Sequence, residues 1–153
     1  MVGRVPWKKS RLWLARYLSA PDAPPNTLDT FTESDDWLLR ASVAQNPGTP
    51  LRLLERLALD GDTRVRLKVA MNLNASHELL ERLALDAEEV IVASVAANPN
   101  TTEGTLGGLV LGTPIGNITV WRALDDRVHQ GRKERRERRF KGDTGRSSNQ
   151  IHT

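Results

Sequence analysis

The chain has 153 residues, long enough for one domain with its own core, and combines 39% hydrophobic with 27% charged residues at a net charge of +3. It has no cysteine, which excludes disulfides, thiolate-ligated zinc, iron–sulfur clusters and a cysteine nucleophile. Residues 1–20 carry five bases and no acid, residues 21–116 seven bases and fourteen acids, and residues 117–153 ten bases and five acids. An acidic body with two basic ends suits ends that meet an anionic partner, dock on that body or stay in water. A signal peptide needs an apolar run of about 7–15 residues and a membrane span about 20. The N-terminal apolar stretch is broken by Arg16, Pro21, Pro24 and Pro25. The expectation is a soluble, cytoplasmic protein with no membrane partner.

Residues 1–9 read as a basic N-terminal arm carrying Trp7. Beyond them a register of 26 residues organises the chain. Leu53 to Asp60 (LLERLALD) returns without change as Leu79 to Asp86, and Val43 to Asn46, Val69 to Asn72 and Val95 to Asn98 follow at the same offset. A fixed period of this size marks stacked helical units, because one helix pair cannot bury its apolar face alone. The units fall at about 10–35, 36–61, 62–87 and 88–113.

The first unit is degenerate, as a terminal unit with one side in water should be. It offers a helix from Arg11 to Ser19 and a short one from Asn26 to Phe31, with Trp13 on the apolar face. In the second, the helix from Asp36 to Gln45 stops at Asn46-Pro47, since Asn tolerates a left-handed cap and Pro cannot continue a helix. Thr49-Pro50 then reads as N-cap and first helical residue of a helix to Leu59. In the third, Asp62 caps the first helix, and Asp86 to Glu89 has the spacing of a capping box for the next unit. In the fourth, Leu106 and Leu109 keep the apolar register. Gly107, Gly108 and Gly112 each weaken a helix by roughly 1 kcal/mol against Ala, which predicts a short, frayed one. Residues 117–130 form a closing helix on Ile118, Trp121, Leu124 and Val128. Residues 131–153 read as a basic tail that offers a solvated helix from Arg132 to Lys141, with Glu134 and Glu137 at pairing spacing, and is disordered from Gly142 onward.

These residues carry a resemblance. Val65-Arg66, the Val-Ala-x-Asn-Pro strings at Val43 to Pro47 and Val95 to Pro99, Thr49-Pro50 and the Leu-Leu-x-x-Leu-Ala-x-Asp segments are similar to the leucine-rich repeat variant family, over about Leu38 to Leu111. The resemblance implies an all-α, right-handed, HEAT-like superhelical solenoid of about four helix-pair repeats, here with a basic C-terminal extension. The period of 26, Leu73 after Asn72 and Val92 in the arginine position depart from the family pattern. The absence of cysteine removes the cysteine-rich cluster domain that one family member carries. The family shares no common activity, so the likeness implies a binding surface and no particular chemistry.

Arg40 and Arg66 recur at the period, and Arg66 falls within the buried arc between Val69 and Ala70. A buried guanidinium needs an acid or carbonyl, and Asp60 and Asp86 recur in step. These four residues therefore read as structural. The outward row of the first helices is Leu38, Arg64, Val90; Ser42, Lys68, Ser94; and Gln45, Met71, Ala97. It holds no paired acids, no acid with a histidine and no acid–aromatic pair placed for base excision, which points to a non-enzymatic face for a protein or peptide. His77, His129 and His152 are scattered, so no metal or cofactor is expected. The second reading is nucleic-acid binding, with phosphates held by Lys8, Lys9 and Arg11 at one end and Arg132, Lys133, Arg135, Arg136, Arg138 and Arg139 at the other. No oligomeric state follows from the sequence. The doubled octapeptide itself reads as the least functional segment, leucines for the core and aspartate for the turn.

Overall fold

Proline and short polar residues punctuate the chain every 10 to 15 positions, and helices fill the intervals. The computed structural model describes residues 7–112 and 118–144, an all-α arrangement with nine helices joined by turns and no strand among them. They are α1 (Trp7–Leu18), α2 (Pro25–Phe31), α3 (Trp37–Gln45), α4 (Leu51–Leu57), α5 (Thr63–Met71), α6 (His77–Leu83), α7 (Glu89–Ala97), α8 (Glu103–Gly112) and α9 (Ile118–Thr144). Asp36, Asp62 and Ser76 cap α3, α5 and α6 by accepting a backbone N–H of the first turn. No helix among the described residues is long and apolar enough to cross a membrane.

The odd-numbered helices pack in sequence, α1 on α3, α3 on α5, α5 on α7 and α7 on α9, while α4 lies against both α3 and α5, and α6 against both α5 and α7. Between them lies a continuous core in which Val43, Ala44, Leu53, Leu54, Val65, Val69, Ala70, Leu79, Leu80, Ile91, Val95 and Ala96 are almost wholly buried. Each large side chain buried in this way contributes about 1.5–3 kcal/mol over leaving it in water.

Three buried asparagines bind successive segments together. Asn46 Nδ2 donates to the carbonyls of Leu18 (2.8 Å) and Ala20 (2.5 Å), Asn72 Nδ2 to Ala44 (2.7 Å) and Asn46 (2.9 Å), and Asn98 Nδ2 to Ala70 (2.8 Å) and Asn72 (3.1 Å). Each Oδ1 accepts the backbone N–H two residues on, in Gly48, Asn74 and Asn100. Each amide thereby satisfies carbonyls at a helix end that would otherwise be buried without donors. Arg127 of α9 takes over at the last step. Its guanidinium donates to Asn98 O and, at 2.5 Å, to Thr101 O, with Ala96 O and Pro99 O at 3.4 and 3.2 Å.

Several expectations are corrected. Asn46 is extended (φ −65°, ψ 125°), and no described non-glycine residue has a positive φ, because the side-chain amide ends the helix without a left-handed turn. Thr49 is not the N-cap of α4. Pro50 holds that place, and the buried Thr49 hydroxyl turns back to Val43 O at 2.6 Å. No capping box forms at Asp86 to Glu89, since Asp86 accepts from Glu88 N and faces Arg66, leaving Glu88 as an N-cap with no side-chain bond. Trp13 is 65% exposed, because α1 covers its neighbour with Ala15 and Leu18; the indole stacks on Tyr17 instead, centroids 5.5 Å apart. The glycine-rich helix α8 runs for ten residues, anchored by Leu109 and the buried Thr105, so packing outweighs propensity. The helix expected from Arg132 to Lys141 is continuous with the closing helix: α9 is one helix of 27 residues, and Gly142 to Thr144, expected to be disordered, belong to it. The proposed arm ends earlier, because α1 begins at Trp7. Residues 1–6, 113–117 and 145–153 lie outside the described residues. Within the doubled octapeptide, Leu59 and Leu85 are 80% and 88% exposed, so not all of its leucines belong to the core.

Candidate functional site

The outward side of α3, α5 and α7 begins at the caps. Asp36 caps α3 and receives the Arg11 guanidinium of α1 in two contacts, one of 2.7 Å. Asp62 caps α5 and takes Arg64 twice, at 2.9 and 2.6 Å. The Arg64 guanidinium then lies 3.4 Å from the centroid of the Trp37 ring, where the negative π-face attracts it. Hydrogen bonding from Arg64 holds the Asp62 carboxyl down at about 2, and Arg11 lowers Asp36 for the same reason.

From that charged edge the row turns milder. Leu38 and Lys68 are half-buried, Gln45 is exposed and Met71 is 55% exposed. Ser42, expected to face outward, is instead buried, and its hydroxyl closes on Leu38 O at 2.7 Å. The close packing of α3 against α1 and α5 covers that position, and the hydroxyl is satisfied within its own helix. On α7, Val90 and Ala97 are exposed and Ser94 is half-buried, bonded to Val90 O at 2.8 Å. Here the row opens into a shallow cleft of about 360 Å³ whose other wall is α9, with Arg122, Asp126 and Gln130 facing Val90, Ser94 and Ala97. Sequence reasoning missed these α9 residues, although their i, i+4, i+8 spacing marks one helix face.

The four residues read as structural form two matching clamps. Arg40 reaches Asp60 at 2.6 and 3.0 Å and Ser34 O at 2.6 Å; Arg66 reaches Asp86 at 2.8 and 3.1 Å and Asp60 O at 2.8 Å. The arginine side chains are 19% and 17% exposed and their aspartates 9% and 10%. Hydrogen bonding from Arg66 lowers the Asp86 carboxyl. At Asp60 burial opposes the charge, yet the bonds from Arg40 and the Asp62 backbone still hold it below the ordinary value. These guanidinium groups are spent within the fold.

Of the residues proposed for phosphate, Arg11 is taken by Asp36. Lys8 and Lys9 stand in α1, with side chains outside the described set. Arg132, Lys133, Arg135, Arg136 and Arg138 are exposed on α9; Arg139 is helical, its side chain likewise outside that set. Arg132, Arg135, Arg136 and Arg139 fall at i, i+3, i+4 and i+7, hence on one face. No cluster of three or more metal-ligating side chains occurs among the described residues; His77 and His129 sit exposed beside Glu78 and Asp125. Comparison with protein-family models, with curated proteins and with solved structures finds no match.

Proposed function

We propose that the chain is a non-enzymatic protein-interaction module, a right-handed superhelical solenoid of about four helix-pair units of the leucine-rich repeat variant or HEAT-like kind. The sequential packing of the odd helices and the asparagine bonds that return every 26 residues support that architecture. One observation carries the function: exposed Met71, Val90 and Ala97, flanked by Arg64, Lys68 and Arg122, lead into the cleft between α7 and α9. An apolar centre with a charged rim suits a peptide or a protein surface. The test is capture of partners on the immobilised chain against the double variant Met71→Asp and Val90→Asp. Both sites are exposed, so the variant keeps its far-ultraviolet circular dichroism. Loss of the captured partner supports the proposal, and undiminished capture by the variant refutes it.

The basic face of α9 favours a second reading, attachment to nucleic acid through phosphates. A chain ending at Gln130 and the intact chain are compared on a short DNA and a short RNA duplex at about 50 and 200 mM salt. Under this reading only the intact chain binds, and its affinity falls steeply with salt. Equal weak binding by both chains removes it.

A further inference from the structure

Three leucines stand in water at one position of the register. Leu59, Leu85 and Leu111 are 80%, 88% and 90% exposed and follow one another at 26 residues. Single exposed leucines need no explanation. Leu59 and Leu85 lie two residues past α4 and α6 in one backbone setting, with Leu59 N bonded to Arg56 O and Leu85 N to Arg82 O, and Leu111 lies in the last turn of α8. A partner helix with apolar residues on one face presents a recurring apolar row of its own to such a register.

The charge around this edge selects the partner. Beside Leu85 opens a cleft of about 700 Å³ with an apolar floor of Ala84, Val92 and Leu109. Its rim carries Glu81, Asp86 and Glu89, and no base lines it. Asp86 is neutralised by Arg66, but no base among the described residues pairs with Glu81 or Glu89. Glu55 repeats the place of Glu81 beside Leu59 and is also exposed; Arg56 and Arg82 follow them, exposed as well, with Arg56 paired to Glu33, so the acidic excess is that of the cleft rim. We propose that the edge of Leu59, Leu85 and Leu111 docks a basic amphipathic helix of another protein, leucine-like residues on the row and lysine or arginine against Glu55, Glu81 and Glu89. This deepens the interaction-module reading and rests on it, but uses a surface other than the α3, α5 and α7 row. Like charge on both cleft rims disfavours a second copy placed here rim to rim.

The probe is a labelled helical peptide of about 18 residues, leucine at every seventh position and lysine and alanine elsewhere, with a glutamate-for-lysine counterpart. Anisotropy gives affinity and amide chemical shifts give the site. The lysine peptide should bind with shifts at Leu85, Val92 and Leu109. The Leu59→Ser and Leu85→Ser double variant should lose about ten-fold or more in affinity. So should Gly108→Leu, which narrows the cleft without an internal clash, since nothing lies within 4 Å of a Cβ there. Equal binding of the glutamate peptide, or no saturable binding, overturns the proposal. Shifts confined to Lys68, Met71 and Val90 overturn it while leaving the module reading intact. Self-association abolished by Leu85→Ser assigns the edge to a second copy and also overturns it. Failure of the module reading shows separately, as unchanged capture by the Met71→Asp and Val90→Asp variant.

Discussion

Asn72 holds the carbonyls of Ala44 and Asn46 and steadies the N–H of Asn74, all with one side-chain amide. Asn72→Ala strips donors from two buried carbonyls, so the expected loss is about 2–3 kcal/mol, read as a shift in the urea midpoint with unchanged slope. Asn72→Asp should cost at least as much, because a carboxylate presents acceptors where the site needs donors. The clamps make a different prediction. Asp60 and Asp86 have folded-state pKa values below the ordinary carboxylate value of about 3.9. Their stabilisation is therefore complete above that value and is lost as pH falls through the depressed folded values. Acid unfolding below about pH 4 should follow, and Arg66→Gln should shrink that pH dependence as well as stability at neutral pH. These residues were visible in the sequence as recurrences. The arginine–aspartate pairing was legible because a charge inside an apolar arc demands a partner. The asparagines were misjudged, because Asn-Pro also signals a plain helix stop, and only the distance to a carbonyl 26 or 28 residues back shows the amide at work.

At the scale of elements, α9 closes the last carbonyls with an arginine in place of an asparagine. Burial lowers the Arg127 pKa, a cost offset by its several carbonyl acceptors. Arg127→Ala should lower stability by about 2 kcal/mol, and hydrogen exchange should rise first in α9 and at the end of α7. Helix α8 supplies a change in the other direction. A Cβ at Gly107 meets nothing within 4 Å, so Gly107→Ala should raise stability by about 0.5–1 kcal/mol in thermal unfolding. Glycine content suggested a frayed helix there; Leu109 was legible as an apolar position, but propensity does not weigh how far its packing offsets the glycines. The same blindness placed a break inside α9. Gly131 and the change of composition looked like a boundary, but arginine, lysine and glutamate are all good helix formers and nothing in the backbone stops the helix.

For the whole molecule, the acidic body and basic ends are separable properties. The part of α9 beyond Gln130 is largely exposed where its side chains are described, so a chain ending there should keep its unfolding temperature within about 2 °C. What should change is net charge, and with it any salt-dependent attachment to polyanions.

The sequence by itself determined that the chain is helical, where most helices begin and end, and which leucines, valines and alanines could meet, since those follow from local periodicity and punctuation. It also marked a register of 26, and with it the residues that must do the same thing in each unit. Tertiary structure decided which of those recurring side chains face inward. Leu59 and Leu85 read like core leucines and stand in water, while Ser42 read as surface and is buried. Burial depends on what the neighbouring helix covers, and a one-dimensional pattern carries that only where a face is uniformly apolar. The two clefts arise the same way, from the lie of α9 on α7 and of α8 beside α6 and α7.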